Sequence, residues 1–152
     1  MQSSTLDPWY ITGFCDGEAA FTYSRSGGAF NIYFAIRQRD DNRNIVERIQ
    51  SYFGFVGQIY TGKESAPTAN SGFTKPTAYY RVARVNELRV IIRHLDKYPL
   101  QSKKHQAYLT WRKMVMHKLE NYRSTDYDLL RGLAEELSAL NQKSRAFKVH
   151  KR

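Results

Sequence analysis

Between Ala29 and Arg39 the chain alternates. Phe30, Ile32, Phe34 and Ile36 fall on one parity, and Asn31, Tyr33, Ala35, Arg37 and Arg39 on the other. Successive side chains of a strand point to opposite faces, so this run predicts a strand with one apolar and one wet face. The stretch "RSGG" precedes it, and its glycines admit the positive φ of a turn. With "EAAFTYS" from Glu18 as the other arm, residues 18–40 predict a hairpin. Helical spacing takes over in "NRNIVERIQSYFG", with Gly54 as the stop. "FVGQIYTG" and "AYYRVARV" predict two more strands, the second with Tyr79, Arg81 and Ala83 alternating against Tyr80, Val82 and Arg84. Residues 61–77 between them are rich in Gly, Ser, Thr and Pro and predict a loop. In "NELRVIIRHLDKY", Leu88, Ile91, Ile92 and Leu95 recur at helical spacing, with Asn86 as the cap and Pro99 beyond the end. "SKKHQAYLTWRKMVMHKL" and "DYDLLRGLAEELSALNQ" predict two further helices. At the other end of the chain, Asp7-Pro8 marks a helix start, with the helix running from Pro8 to about Asp16.

The resulting order is α-β-β-α-β-β-α followed by two helices. Four strands with one basic, tyrosine-bearing face and one apolar face covered by helices make an α+β fold. The 152 residues fit a single domain, 1–152, and no internal repeat carries matching motifs.

Charge sharpens this picture. Lys and Arg number 24 against 14 Asp and Glu, a net charge of +10, which makes a polyanion and first of all nucleic acid the expected partner. A basic protein with a merely solvated surface is the plainer reading. The wet faces of the strands offer Asn31, Tyr33, Arg37, Arg39, Gln58, Tyr60, Tyr79 and Arg81. Arg reads guanine bidentately, and Asn or Gln reads adenine. Lys63 and Lys75 in the loop are expected phosphate contacts, and the tail from 143 to 152 holds five basic residues and no acid. The one cysteine, Cys15, allows no intrachain disulfide and no cysteine-rich zinc site, and reads as a small buried hydrophobe. No apolar run is long enough to span a membrane, and no secretory or transit pattern opens the chain. An intracellular protein without a small-molecule cofactor is expected, with bacterial cytoplasm and organelle matrix both open.

One segment breaks the basic pattern. In "DPWYITGFCDGEAAF" every charge is negative (Asp7, Asp16, Glu18), and no Lys or Arg occurs before Arg25. Gly13 and Gly17 lie four apart on the first helix, with Tyr10 extending the stripe. Each glycine inside a helix costs ~1 kcal/mol against alanine. Glycines at this spacing let a second helix approach closely; tight packing on the chain's own sheet would also use them. Glu18 falls near the helix C-terminus, where the macrodipole disfavours a carboxylate. If a second copy of the helix packs on the first, two Glu18 side chains meet. At ~5 Å and an effective dielectric near 20 they repel by ~3 kcal/mol. A hard divalent cation is the natural counterion. Two acids with metal beside a basic surface suit metal-assisted phosphodiester hydrolysis. Without the dimer, the acids are a solvated structural feature.

The same residues resemble a known motif. "YITGFCDGEAAF" is similar to the signature of the LAGLIDADG homing endonucleases, with Ile11 to Ala19 in its nine positions. The element order matches that family over nearly the whole chain, and "YPLQSKKHQAY" looks like its later basic segment. The resemblance implies the family's four-stranded antiparallel saddle with added C-terminal helices. It implies an intron-encoded, site-specific double-strand DNA endonuclease of the single-motif, homodimeric branch, acting on a roughly palindromic target with Mg²⁺ or another divalent cation. Tyr10, Gly13 and Gly17 would then line the dimer interface. Glu18 would be the metal ligand, assisted by the Gly17 carbonyl; Ala19 replaces the family's final glycine. The active-site glutamine matches Gln38. A following basic residue matches Arg43 loosely, since the direct register gives Asn42. The lysine near the scissile phosphate matches Lys103, with Lys104 as its competitor. The sheet would lie in the major groove of double-stranded DNA. The other readings are a non-cleaving maturase or regulator of the same fold, from which retention of Glu18 points away, and a generic RNA-binding domain, which leaves Gly13, Gly17 and Glu18 unexplained.

Overall fold

The structure is a computed structural model that describes residues 5–62 and 76–145. Helix α1 (Pro8–Glu18) begins as the sequence predicts: Asp7 Oδ1 accepts the Trp9 N–H at 2.8 Å and Pro8 fills the first turn. It runs two residues past Asp16, to Glu18. Strand β1 (Ala19–Ser26) follows at once and pairs antiparallel with β2 (Ala29–Arg39), from Ala19 opposite Ile36 to Ser26 opposite Ala29. A 3-10 turn (Asp40–Asn42) leads into α2 (Arg43–Tyr52). Then come β3 (Gln58–Gly62), β4 (Thr77–Val82), α3 (Val85–Lys97), α4 (Lys104–Glu120) and α5 (Tyr127–Arg145). The sheet order is β1-β2-β4-β3 with every pair antiparallel.

Several boundaries differ from the sequence pattern. Strand β4 ends at Val82, so Ala83 and Arg84 lie beyond the predicted alternation, in the link to α3. The cap of α3 is Arg84, whose carbonyl accepts from Glu87 N (2.9 Å) and Leu88 N (3.0 Å), so Asn86 lies inside the first turn. The strand drawn as 55–62 starts only at Gln58, because Gly54, Phe55 and Gly57 all have positive φ. At Gly57 (φ 75°) a Cβ would come within 2.6 Å of the Arg81 carbonyl, so only glycine fits there. Helix α5 continues through Arg145, and the rest of the predicted tail lies outside the described residues, as do Lys63 and Lys75.

The core forms where the apolar parity of the sheet meets the helices. Phe21, Phe34, Ile36 and Tyr80 pack with Ile11 and Cys15 of α1, Ile49 of α2, Leu88, Ile91 and Leu95 of α3, and Tyr108 and Trp111 of α4, all buried. The one indole donor among them is satisfied: Trp111 Nε1 donates to the Tyr33 carbonyl at 2.9 Å. The α4–α5 pair also covers the outer edge of β1. Lys104 Nζ donates to Ala19 O (2.7 Å), Asn141 Nδ2 to Phe21 O (3.2 Å), and the Tyr23 and Ser138 hydroxyls meet at 2.8 Å. Carbonyls that could recruit a foreign strand are thereby occupied. Among the described residues no helix is long and apolar enough to cross a membrane.

A polar relay crosses this core behind α1. The Thr12 hydroxyl donates to Tyr98 O (2.7 Å) and so accepts from His94 Nε2 (3.0 Å). That leaves His94 Nδ1 to accept from the Tyr52 hydroxyl at 3.0 Å. The neutral imidazole satisfies every partner, and burial pushes the pKa of His94 down from 6.5 to about 4. Between those values the unfolded chain binds more protons than the folded one, so stability falls as the pH falls through that window. We expect urea midpoints measured across it to drop with pH in the native protein. His94→Gln should be less stable at neutral pH and show a flatter dependence. Parallel curves for the two proteins would remove His94 as the cause.

Candidate active site and nucleic-acid interface

Glu18 is the last residue of α1 and is exposed. The β1–β2 register sets it beside the end of β2, where Gln38 Nε2 donates to Glu18 Oε1 at 3.1 Å and to Arg37 O at 3.1 Å. Gln38 Oε1 accepts from Asn42 Nδ2 at 2.8 Å. The carboxylate is thus oriented through a Glu18–Gln38–Asn42 chain. Arg43 lies apart from that chain. Its guanidinium bonds Asp40 (2.8 Å), Glu47 (3.1 Å) and Thr61 Oγ1 (3.1 Å), and the bond to Asp40 leads in raising its pKa. It is the direct register, Asn42, that meets Gln38.

The two acids of the motif have different surroundings. Asp16 accepts from Gln101 N (2.7 Å), Ser102 N (3.2 Å) and Ser102 Oγ (2.6 Å). Burial works against its charge, but the bonds from Ser102 and Gln101 outweigh it and hold the carboxyl below its ordinary pKa. The two lysines differ as sharply. Lys103 is exposed, and both lysines line one open cleft of about 830 Å³ with Glu18, Arg37 and Tyr79. Lys104 turns inward, its Nζ donating to Ala19 O (2.7 Å) and Cys15 O (3.3 Å). Burial lowers its pKa, while the charges of Asp16 and Glu18 pull the other way.

The open face of the sheet is a lattice of arginines on tyrosines. Arg37 lies 4.2 Å above the Tyr79 ring, its direct partner across β2 and β4, and Arg81 lies 3.8 Å above Tyr33. Tyr60 neighbours Tyr79 at 6.2 Å between centroids, and Gln58 pairs opposite Arg81. Asn31 is exposed on the same parity of β2. Ala35, on that parity too, is only 4% exposed, set between Ala20 and Arg81 on the flanking strands. Arg39 is engaged at the strand end by Asp41 (2.6 Å). Burial raises the pKa of Tyr33.

Helix α1 packs inward through Ile11, Thr12 and Cys15. Gly13 and Gly17 face outward, and among the described residues nothing lies within 4 Å of where a Cβ would stand. Packing on the chain's own sheet therefore does not explain them. Trp9 (50% exposed) and Tyr10 (46%) lie on the same helix. Among the described residues no three His, Cys, Asp or Glu side chains converge as a metal cage. Glu18 and the Gly17 carbonyl offer the hard oxygen donors a divalent cation takes, but too few within one chain.

Sequence reasoning missed the inward turn of Lys104, the three bonds to Asp16 and the stacking of Arg37 and Arg81. No spacing signal announces them, since each depends on elements far apart in sequence.

The family model described as LAGLIDADG endonuclease matches residues 11–115. The chain is 33% identical over 122 residues to the "Uncharacterized 50.9 kDa protein in ND4 intron 1" of Podospora anserina, covering 74% of this chain and 24% of that protein. It is 27% identical over 144 residues to the "Probable intron-encoded endonuclease 2" of Neurospora crassa, covering 90% and 29% respectively. It thus spans about a quarter of the length of these curated relatives. Among solved structures it resembles the LAGLIDADG meganuclease I-AabMI bound to uncleaved DNA, with TM-score 0.67, 26% identity, 84% of this chain and 42% of that one. The homing endonuclease I-TnaI shares the fold at TM-score 0.67 and 19% identity, over 92% of this chain and 99% of that one.

The contrast between the acids is measurable without any substrate. Asp16→Ala should lower the free energy of unfolding by about 1 kcal/mol, the low end for charged hydrogen bonds because water reaches the carboxylate. Glu18→Gln should leave the urea midpoint unchanged. Equal losses for both variants would contradict the division drawn here.

Proposed function

The chain belongs to the LAGLIDADG endonuclease family, and from that premise we propose that it is a site-specific DNA endonuclease that cuts both strands as a homodimer with a divalent cation. The observation that carries this reading is the outward direction of Gly13 and Gly17 on the helix that ends in Glu18. A helix bearing two solvent-facing glycines gives up about 2 kcal/mol of helix propensity. A second α1 laid along the strip gains from their small size, with Tyr10 beside the crossing. A partner for this helix has to come from outside these residues, and a second copy supplies it.

Such pairing brings two Glu18 carboxylates together at the twofold axis, each beside a Gly17 carbonyl. Mg²⁺ or another divalent cation bound there would stabilise charge developing on the phosphate and ease deprotonation of the attacking water. Gln38, held by Asn42, keeps Glu18 aimed at the axis. Lys103 presents its ammonium in the same cleft, where it opposes charge gathering on a phosphate. The open sheet face then enters the major groove. Arg37 and Arg81 are placed to read guanine, Asn31 and Gln58 adenine, with Tyr33, Tyr60 and Tyr79 supporting them and Arg39 at the rim. Two copies related by a twofold axis present the same face twice, so the target is roughly palindromic. I-AabMI, which shares the fold, was solved on DNA.

The purified protein should cut a DNA bearing its intron-insertion junction in Mg²⁺ and not in EDTA. Glu18→Gln should lose cleavage and keep binding, because the sheet contacts remain. Binding without cleavage by the native protein would favour the non-cleaving reading of the fold, and near-native cutting by Glu18→Gln would remove Glu18 as the metal ligand.

Gly13→Leu should place a bulky side chain between the paired helices. Sedimentation equilibrium should show the dimer dissociation constant raised by at least about tenfold, the equivalent of about 1.4 kcal/mol. A native protein that stays monomeric at micromolar concentration with and without DNA would sink the homodimer.

A further inference from the structure

Ala35 is an exception on the open face. It lies on the wet parity of β2, between Tyr33 and Arg37, yet it is only 4% exposed. Its direct partner on β4 is Arg81. Arg81 does not rise straight from that position. Its guanidinium crosses to lie 3.8 Å above the ring of Tyr33, its diagonal neighbour. Diagonal neighbours stand about 7–8 Å apart, within reach of a long side chain. An alanine at position 35 leaves that path open, and the side chains that lean over it account for its burial.

Four side chains thereby meet over one alanine. Arg37 rests on Tyr79 at 4.2 Å, and Tyr33, Ala35, Arg37 and Tyr79 line the same cleft as Glu18. Burial leads in raising the pKa of Tyr33; Tyr79 raises it further, and the charges of Arg81 and Arg37 oppose the rise. The Tyr33 hydroxyl thus senses all three of the others, including Arg37 on the far side of Ala35. Among the described residues neither guanidinium donates a hydrogen bond or meets an acid. Stacking engages the flat face of a guanidinium and leaves its edge donors free, and the edge is what meets guanine. An arginine already held in place loses less rotamer freedom on binding.

We propose that Tyr33 and Tyr79 are positioning residues that act through Arg81 and Arg37, and that Ala35 lets the two stacked pairs join into one unit, so that the two base pairs these arginines read are recognised jointly. The unit rests on the reading given above, in which the open sheet face meets base edges.

Two arms test it. The first uses the free protein. Protons held over an aromatic ring shift upfield in NMR spectra, so the Arg81 side chain reports on Tyr33 and the Arg37 side chain on Tyr79. Tyr33→Leu should abolish the shift at Arg81 and also change that at Arg37, and Ala35→Val should disturb both. The second arm profiles affinity in Ca²⁺ over all single-base variants of the junction DNA. Arg81→Ala and Arg37→Ala first locate the base pair that each reads. Tyr33→Leu should then reduce discrimination at both base pairs by about three- to tenfold, the scale of a stacked cation, and leave other positions unchanged. Tyr33→Phe keeps the ring and should restore discrimination at the Arg81 base pair. Relaxation at the Arg81 base pair alone, with the Arg37 shift unmoved, would show two independent readers and overturn the unit. An even loss over all base variants would reduce the ring to scaffolding, and equal relaxation by Tyr33→Phe and Tyr33→Leu would make the hydroxyl the reader; either result overturns the proposal. Arginine variants that relax no position remove the underlying reading of the sheet and the proposal with it, an outcome distinct from independent relaxation by the two arginines.

Discussion

Glu18 closes α1 and Ala19 opens β1 with no loop residue between them, and most of the site's geometry descends from that junction. Ala19 is already extended (φ −85°, ψ 151°), yet its N–H still bonds the Cys15 carbonyl of the helix. The strand it begins is held to β2 along its whole length. The direction of the helix is therefore fixed by the sheet at one end and by the Thr12–His94–Tyr52 relay further along. A flexible linker at this point would let the carboxylate wander. Its absence delivers Glu18 to the end of β2, within reach of Gln38.

Much of this was legible in the order of residues. The alternation of Phe30 to Ile36 against Asn31 to Arg37 separated core from open face because a strand's period is fixed by its backbone. The Gly13–Gly17–Glu18 stripe was equally legible, since helical spacing alone puts those residues on adjoining faces. What stayed hidden depends on pairing across distance. The stacking of Arg37 on Tyr79 requires β4 to lie beside β2, with α2 and β3 inserted between them in sequence. Which of Lys103 and Lys104 bonds back to the end of α1 turns on where α4 starts, and a one-residue shift there rotates a side chain by about 100°. Arg43 drew attention by its charge, but Asp40 in the preceding 3-10 turn and Glu47 one helical turn on bind it. Asn86 has a cap's chemistry, but Arg84 takes the extended backbone that a cap position needs.

The net charge of +10 is distributed with a purpose that pairwise counting conceals. Ion pairs occupy the helices and the strand end: Arg43 with Asp40, Arg112 with Asp96, Arg131 with Asp128, Arg39 with Asp41. Among the described residues Arg37 and Arg81 form no ion pair and rest on tyrosine rings. A ring holds a guanidinium in place without cancelling its charge. An acid in the same place would order the arginine and erase the field it projects. The open face is thus both ordered and positive, a combination that suits a surface meeting a polyanion.

In the proposed homodimer the outward strip of α1 separates folding from association within one helix. Ile11, Thr12 and Cys15 carry the packing, while among the described residues nothing fills the space beyond Gly13 and Gly17. Those two positions are free to change without disturbing the core. Two versions of the chain, one with a ridge and one with a matching notch there, could be made to accept each other and reject themselves. Each half would keep its own reading face, so the assembled pair would address a target whose two sides differ. The bare side of this helix is where such asymmetry can be written.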